Sequence, residues 1–355
     1  MDTSILAAGQ VLVGGFSGLK VPPKLMEAFA EGSIGGVTFF SRNIDTPKQL
    51  HALIKEIEWP QERPPLLAID QEGGRVARLK SPVVKLPPMR ELAQIGDPSL
   101  TERAAALLGS QLRAIGLTMN FAPVLDVDTN PDNPVIGDRS FGARPKEVIL
   151  HARAFAAGLA DAGVLSCGKH FPGHGDTLLD SHLALPTVKH TLARLEAVEL
   201  LPFRQALDFP AFMTAHVVFP ELDAHRPATL SPHVVGDLLR HDMGYEGVII
   251  SDDLEMKAVA KMYSIAESAI LAIEAGCDVL LVCSDTDALF DAREELAARA
   301  RRDVAFRTRL DDAAERSLRL RRSAPPTPAP NLSGVFDAST LFERELETHL
   351  GQRHA

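Results

Sequence analysis

Cysteine is scarce in this chain. The 355 residues include three, Cys167, Cys277 and Cys283. A sparse, odd set without a CxxC pair builds neither a disulfide framework nor a zinc knuckle. Cys167 and Cys283 sit inside apolar runs, where a thiol behaves as a small buried hydrophobe. No apolar run approaches the roughly 18 residues that cross a bilayer. A basic stripe with interleaved aromatics is also missing, and the formal net charge is −10. Nucleic acid and anionic membrane surfaces are therefore not expected partners. The start, Met1-Asp2-Thr3-Ser4, puts an acid where a secretory leader would carry basic residues. No GxGxxG follows an early strand-like run, which argues against a dinucleotide-binding sheet. These absences point to a soluble protein of a reducing compartment, and the cytoplasm is the expected location.

What is present is a well-cored composition, with 45% hydrophobic and 24% charged residues. Eight short apolar runs recur along the chain, at 10–14, 36–40, 66–70, 118–122, 164–167, 211–215, 247–251 and 278–283. They are nearly all-apolar rather than alternating, as strands buried on both faces should be. Helix-like segments lie between them. Thr46-Pro47-Lys48-Gln49 offers a cap, a first-turn proline and a capping-box glutamine. Ser99 with Glu102, and Ser264 with Glu267, repeat the box spacing. Gly163, Gly244 and Gly276 sit where helices should stop. Eight strand–helix units predict an α/β fold of the (β/α)8 TIM-barrel type in a single domain. The alternative is an open doubly wound sheet. The barrel is expected to span residues 1–322 as the catalytic unit. A proline-rich extension, 323–355, is too short to be a domain of its own.

Active sites of this fold lie at the C-terminal ends of the strands. Unusual polar residues cluster there. Ser41, Arg42 and Asn43 follow the second run, Asp70, Gln71 and Glu72 the third, and Asp126 and Asp128 the fourth. Lys169 and His170 follow the fifth, His216 the sixth, and Asp252 and Asp253 the seventh. An acid directly after an apolar strand, as Asp252 is, can serve as nucleophile, metal ligand or acceptor for a sugar hydroxyl. The plain alternative is a helix cap, which Ser251 or Asp253 could supply instead. Asp70 can accept two hydroxyl protons at once, and Arg78 is a planar, permanently charged donor. Their plain alternative is an ion pair that fixes the loop.

The densest stretch is 169–182, with one lysine, three histidines and two aspartates. Lys169 and His170 should face the pocket. Gly173 and Gly175 around His174 should build a tight turn. Asp180 stands two residues before His182. A carboxylate bonded to one ring nitrogen fixes the tautomer and raises the basicity of the other, which suits a general acid–base. The plain alternative is a solvated loop histidine. Spacing alone also leaves Asp176 and Glu255 open as the acid. The connection 120–142 is long and rich in Pro, Asn, Asp and Gly, the habit of a functional loop. Asp126, Asp128 and Asp138 within it lack the spacing of a calcium loop.

Five segments in order, IDQEGGRVARL, FAPVLDVDTNPDNPVIGDRSFG, GKHFPGHGDTLLDSH, MTAHVVFP and SDDLEM, resemble glycoside hydrolase family 3. Within it they are similar to the single-domain bacterial β-N-acetylglucosaminidases of peptidoglycan recycling. The resemblance covers roughly residues 8 to 320. It implies a retaining double displacement on a (β/α)8 barrel, with Asp252 as nucleophile. His182, assisted by Asp180, is the implied general acid–base, which sets Asp176 and Glu255 aside. Asp70, Arg78, Arg139, Lys169 and His170 are the implied contacts to the N-acetylglucosamine unit. No metal or organic cofactor is implied. The second α/β sandwich domain of some family members is not expected to be needed, since the implied dyad within one loop suggests a self-sufficient barrel. The expected ligand is a small carbohydrate or muropeptide, in particular N-acetylglucosamine linked to 1,6-anhydro-N-acetylmuramic acid, and a monomer is favoured. Two other readings compete: a metal-dependent hydrolase using His170, His174, His182, His216 and Asp252, and a non-catalytic sugar-binding barrel.

Overall fold

The eight apolar runs become eight parallel strands that close into a barrel. They are β1 (Leu12–Gly14), β2 (Gly36–Phe39), β3 (Leu66–Ile69), β4 (Met119–Asn120), β5 (Leu165–Phe171), β6 (Ala211–Thr214), β7 (Val248–Asp253) and β8 (Val279–Val282). The structure is a computed structural model and describes residues 2–177 and 185–352. Each strand pairs with the next in sequence, and β1 closes the ring on β8, Leu12 opposite Leu280 and Val13 opposite Leu281.

Successive side chains of a strand point to opposite faces. One set, including Val13, Ala68, Met119, Cys167, Met213 and Ile250, fills the barrel interior. The other set, including Leu12, Val37, Leu67, Phe212 and Ile249, joins the shell between strands and helices. Neither face meets water, so the strands carry no polar stripe. Two strands run further than their apolar runs indicate. β5 continues through Lys169 and His170 to Phe171, and β7 through Asp252 and Asp253. The polar residues expected just beyond these strands therefore belong to them.

Helix starts follow the capping chemistry, with two differences. Ser264 and Glu267 form the reciprocal box. At Pro98–Ile115 the cap is Asp97, which accepts from the Ser99 amide at 2.9 Å, and not Ser99. Pro98 suits the first helical position, so the aspartate before it takes the cap. Thr46 caps Pro47–Glu56, but the Gln49 side-chain oxygen accepts from Asp45 rather than from the cap residue.

The helix Val304–Ser323 returns beneath the N-terminal ends of the strands. Its Leu320 joins the interior cluster. Arg321, buried at 1% exposure, donates to the Pro64 carbonyl at 2.8 Å and to Gln10 Oε1 at 2.6 Å, just ahead of β3 and β1. Burial, with Arg322 beside it, draws the Arg321 pKa down to about 9. Farther on, the His51 ring donates to the Ala329 carbonyl at 2.8 Å. The helix Ser339–Gly351 packs Phe342 and Leu346 into the outer core. Among the described residues no helix is long and apolar enough to cross a membrane.

Candidate active site

The C-terminal ends of the strands surround a cavity of about 370 Å³. Asp70, Arg78, Arg139, Lys169, His170 and Asp252, all expected as site residues, line it together. Asp180 and His182 lie outside the described residues. Phe121, Met213 and Leu281 supply apolar wall.

Charges on one side of the cavity are interlocked. Lys169, at 2% exposure, sits 2.8 Å from Asp70 Oδ1 and 2.6 Å from Glu72 Oε1. Arg139 grips Glu72 through two parallel bonds of 2.8 Å, the bidentate fork that a guanidinium makes with a carboxylate. Arg78 reaches Asp70 Oδ2 at 3.2 Å. Burial alone would push Asp70 and Glu72 up. The cations outweigh it: Lys169 and Arg78 hold Asp70 below the usual carboxylate range, and Arg139 and Lys169 hold Glu72 far below it. Arg139 and Lys169 are raised in turn, because their carboxylates outweigh desolvation. The ion pair that fixes the loop also lines the cavity. Lys169 spends two of its three donors on the carboxylates. Such a wall presents fixed donors and acceptors to a polyhydroxylated molecule.

Local sequence sets this wall up. Gly73 and Gly74 take φ of 123° and 54°, which lets Gln71–Gly73 fold back on Val76–Ala77 as a short ribbon. Asn120, at the end of β4, accepts from the Gln71 amide and donates to its carbonyl at 2.9 and 2.8 Å. Gln71 Oε1 takes the Arg78 and Leu79 amides. Asp70 and Arg78 are thereby held at one edge of the cavity, with Glu72 buried behind it.

A second buried unit stands behind His170. Asp126, fully buried, lies 2.7 Å from His170 Nδ1 and accepts from the His170 and His174 amides. Burial would raise its pKa, but His170 and His174 hold it low. An ionised carboxylate only accepts, so Nδ1 of His170 carries the proton and Nε2 is turned to other use. The Lys169–His170 peptide bond is cis. His174, expected only to shape the turn, also lines the cavity. Burial, then the neighbouring His170, lowers its pKa to about 4, so it is neutral at neutral pH. Gly175 is required beside it: a Cβ there would stand 1.8 Å from the Val127 carbonyl oxygen.

Asp252 ends β7 on the cavity wall, half-buried, and its Oδ1 accepts from the Asp253 amide at 2.8 Å. The Asp253 side chain ties β7 to the end of β8, accepting from Cys283 N at 3.2 Å and from Glu255 N at 3.1 Å. Burial, with Glu255 and Asp252 nearby, pushes Asp253 up to about 7. His216 donates from Nε2 to the Asp253 carbonyl at 2.9 Å, and its Nδ1 meets Thr229 Oγ1 at 2.9 Å.

The sequence assigns Glu72, Asp126 and Asp253 no role in the site. Their only signal there is the strand-end position that they share with the expected residues. The carboxylates left open as acids are engaged elsewhere. Glu255 accepts from the Ser284 and Asp285 amides, and Asp176 from Thr129 Oγ1. The aspartates of the long connection are also split up. Asp126 serves the histidines, Asp128 pairs with Arg90, and Asp138 with Arg75. Among the described residues no group of three or more His, Cys, Asp or Glu is placed to hold a metal ion.

Fold and site together define a barrel enzyme whose pocket is built for a polyhydroxylated ligand. Residues 9–320 match the model of the glycosyl hydrolase family 3 N-terminal domain. A beta-hexosaminidase of Alkalilimnicola ehrlichii is 40% identical over 286 residues, 78% of this chain and 82% of that protein. Among solved structures, a family 3 β-N-acetylglucosaminidase from Paenibacillus sp. str. FPU-7 superposes with a TM-score of 0.90 at 40% identity, over 97% of this chain and 68% of that one. NagZ from Neisseria gonorrhoeae, in complex with N-trifluoroacetyl-D-glucosamine, superposes with a TM-score of 0.73 at 34% identity, over 87% of this chain and 98% of that one. The chain belongs to glycosyl hydrolase family 3 and is a glycoside hydrolase.

Proposed function

We propose that this protein is a retaining exo-β-N-acetylglucosaminidase. It removes terminal, non-reducing β-linked N-acetylglucosamine, and its substrates are 1,6-anhydro-muropeptides released during cell-wall recycling in the cytoplasm. The observation that carries this reading is the meeting of Asp252, at the end of β7, with the Asp70–Glu72–Lys169–Arg139 wall around one cavity. Relatives named beta-hexosaminidase, and a relative that binds a glucosamine derivative, support the sugar class.

In this mechanism the wall holds the sugar by its hydroxyls, through Asp70, Arg78, Arg139, Lys169 and His170. Asp252 attacks the anomeric carbon and forms a glycosyl-enzyme; the bond to the leaving oxygen breaks as that oxygen takes a proton. His182, oriented by Asp180, supplies this proton and then draws one from the water that cleaves the intermediate. These two assignments rest on the family resemblance. Most glycosidases use two carboxylates. A histidine with an unperturbed pKa of about 6.5 can do both proton transfers near neutrality. The anionic Asp252 also stabilises an oxocarbenium-like transition state from the opposite face. Every wall residue falls between Thr38 and Ser284. This supports residues 1–322 as the catalytic unit, with 323–355 as an extension.

The test is labelling with a 2-fluoro-sugar reagent followed by peptide mass spectrometry, alongside NMR of the first-formed sugar. The expected result is a label on Asp252, none in Asp252→Ala, and the β anomer first. A label on another residue, or the α anomer first, sinks the assignment.

A further inference from the structure

The charge pattern of the cavity wall is not closed. Lys169 lies on Asp70 and Glu72, Arg139 on Glu72, Arg78 on Asp70, and Arg75 on Asp138. Arg42 is the exception: it lines the cavity and has no carboxylate partner among the described residues. In a chain of net charge −10 an unpaired cation at the mouth of the site calls for an explanation.

Arg42 is also held in place before any ligand arrives. Its Nε donates to the Phe16 carbonyl at 2.9 Å, and its Nη2 to the Cys283 carbonyl. The guanidinium lies over the Phe40 ring, 4.4 Å from its centroid, and Arg78 approaches the same ring at 5.7 Å. The turn that carries it, Ser41–Asn43, is locked by Asn43, which accepts from the Phe40 amide and donates to the Phe16 and Gly18 carbonyls. These contacts use two of the five guanidinium hydrogens and leave the Nη1 pair and one Nη2 hydrogen. That remaining edge matches the two oxygens of a carboxylate. Arg42 is exposed, whereas Lys169 and His170 are buried, so it stands at the mouth and not on the floor. A neutral sugar can accept hydrogen bonds from this edge but leaves its charge unbalanced. A negatively charged leaving group balances it.

We propose that Arg42 is a subsite for a carboxylate on the aglycone, so that the preferred substrates are acidic glycosides of N-acetylglucosamine. This inference rests on the glycosidase reading above and specifies its leaving group. Because the fork is fixed in advance, little conformational entropy is lost when a carboxylate docks.

The test compares three substrates with the full-length enzyme. They are N-acetylglucosaminyl-β-1,4-N-acetylmuramic acid, its lactyl methyl ester, and its lactyl amide with alanyl-glutamate, which moves the carboxylates onto a peptide. The expected kcat/KM in the wild type favours a carboxylate-bearing substrate over the ester by roughly tenfold, as one charge-assisted fork allows. Preference for the free lactyl acid places the anion on the sugar; preference for the peptide amide places it on the stem. In Arg42→Gln the ratio of the preferred carboxylate-bearing substrate to the ester falls to about one, and 0.5 M salt narrows it in the wild type. The ratio cancels any general damage from the substitution, and the wild-type comparison needs no variant. Equal turnover of all three by the wild type overturns the subsite, as does an unchanged ratio in Arg42→Gln. Failure to cleave even a neutral aryl β-N-acetylglucosaminide would instead overturn the glycosidase reading.

Discussion

Asp252 and Asp253 are adjacent carboxylates that both line the cavity but differ in their partners. Asp253 is pushed up to about 7 by burial and by two neighbouring acids, while its oxygens still take the Glu255 and Cys283 amides. The folded state thus keeps a proton on Asp253 that the unfolded chain releases near pH 4. Its contribution to stability is full below that pH and is lost as pH rises through about 7. Asp253→Asn keeps an acceptor oxygen and removes the ionisation. Its Tm, compared with that of the wild type, should gain from pH 5 to about pH 7 and then level off; a difference that does not change with pH would contradict this. Asp70, Glu72 and Asp126 have the opposite sign. Their pKa values are lowered, so their contribution is present above the normal carboxylate range and is lost as pH falls below it. At this scale the sequence reveals residue type and strand-end position but not partnership. Glu72 and Asp126 look like ordinary loop acids until the fold brings Arg139 and His170 to them.

At the level of elements, the wall of charges joins the ribbon after β3, the turn before the helix Pro145–Asp161 and the end of β5. Glu72 is the hub, touched by Arg139 and Lys169 while itself 1% exposed. Glu72→Gln leaves two buried cations with one carboxylate fewer. Breaking such a buried pair should destabilise the fold by about 3 kcal/mol. It should also lower kcat/KM by roughly a hundredfold through misplaced wall residues. Chemical denaturation and steady-state kinetics on an aryl glycoside check both, and wild-type values for either would reject the hub role. All eight strands were legible from composition because burial on two faces leaves an unmistakable apolar run. Their ends were less so. Lys169, His170 and Asp252 break the apolar pattern, and a reader of the sequence stops the strand there. β5 continues because Asp70, Glu72 and Asp126 compensate Lys169 and His170 from other parts of the chain, and at the end of β7 Asp252 accepts from the Asp253 amide. The box at Ser99 was misread for a local reason, since Asp97-Pro98 already starts the helix.

Across the whole molecule, no described residue of the extension lines the cavity. The cavity is built between Thr38 and Ser284, whereas Phe342 and Leu346 pack on the outer core. Truncation after Ser323 should remove their burial, roughly 1.5–3 kcal/mol for each side chain, together with the His51–Ala329 bond. A lower Tm with retained kcat at low temperature is the expected outcome. Loss of turnover from a shortened chain that melts like the parent would show that the extension serves the site.

Arg321 bonds Gln10 across 311 positions of sequence, and β1 gains its second neighbour only from β8. During synthesis the first strand therefore waits, with one edge open, until residues 279–282 and then Arg321 have left the ribosome. Contacts so distant are slow to form, and an unpaired edge invites association with other chains. The last helix of the barrel acts as the latch on its first strand, so ring closure must follow translation of nearly the whole barrel. A nascent chain stalled before Val279 lacks the strand that closes the ring, however complete its earlier active-site loops may be.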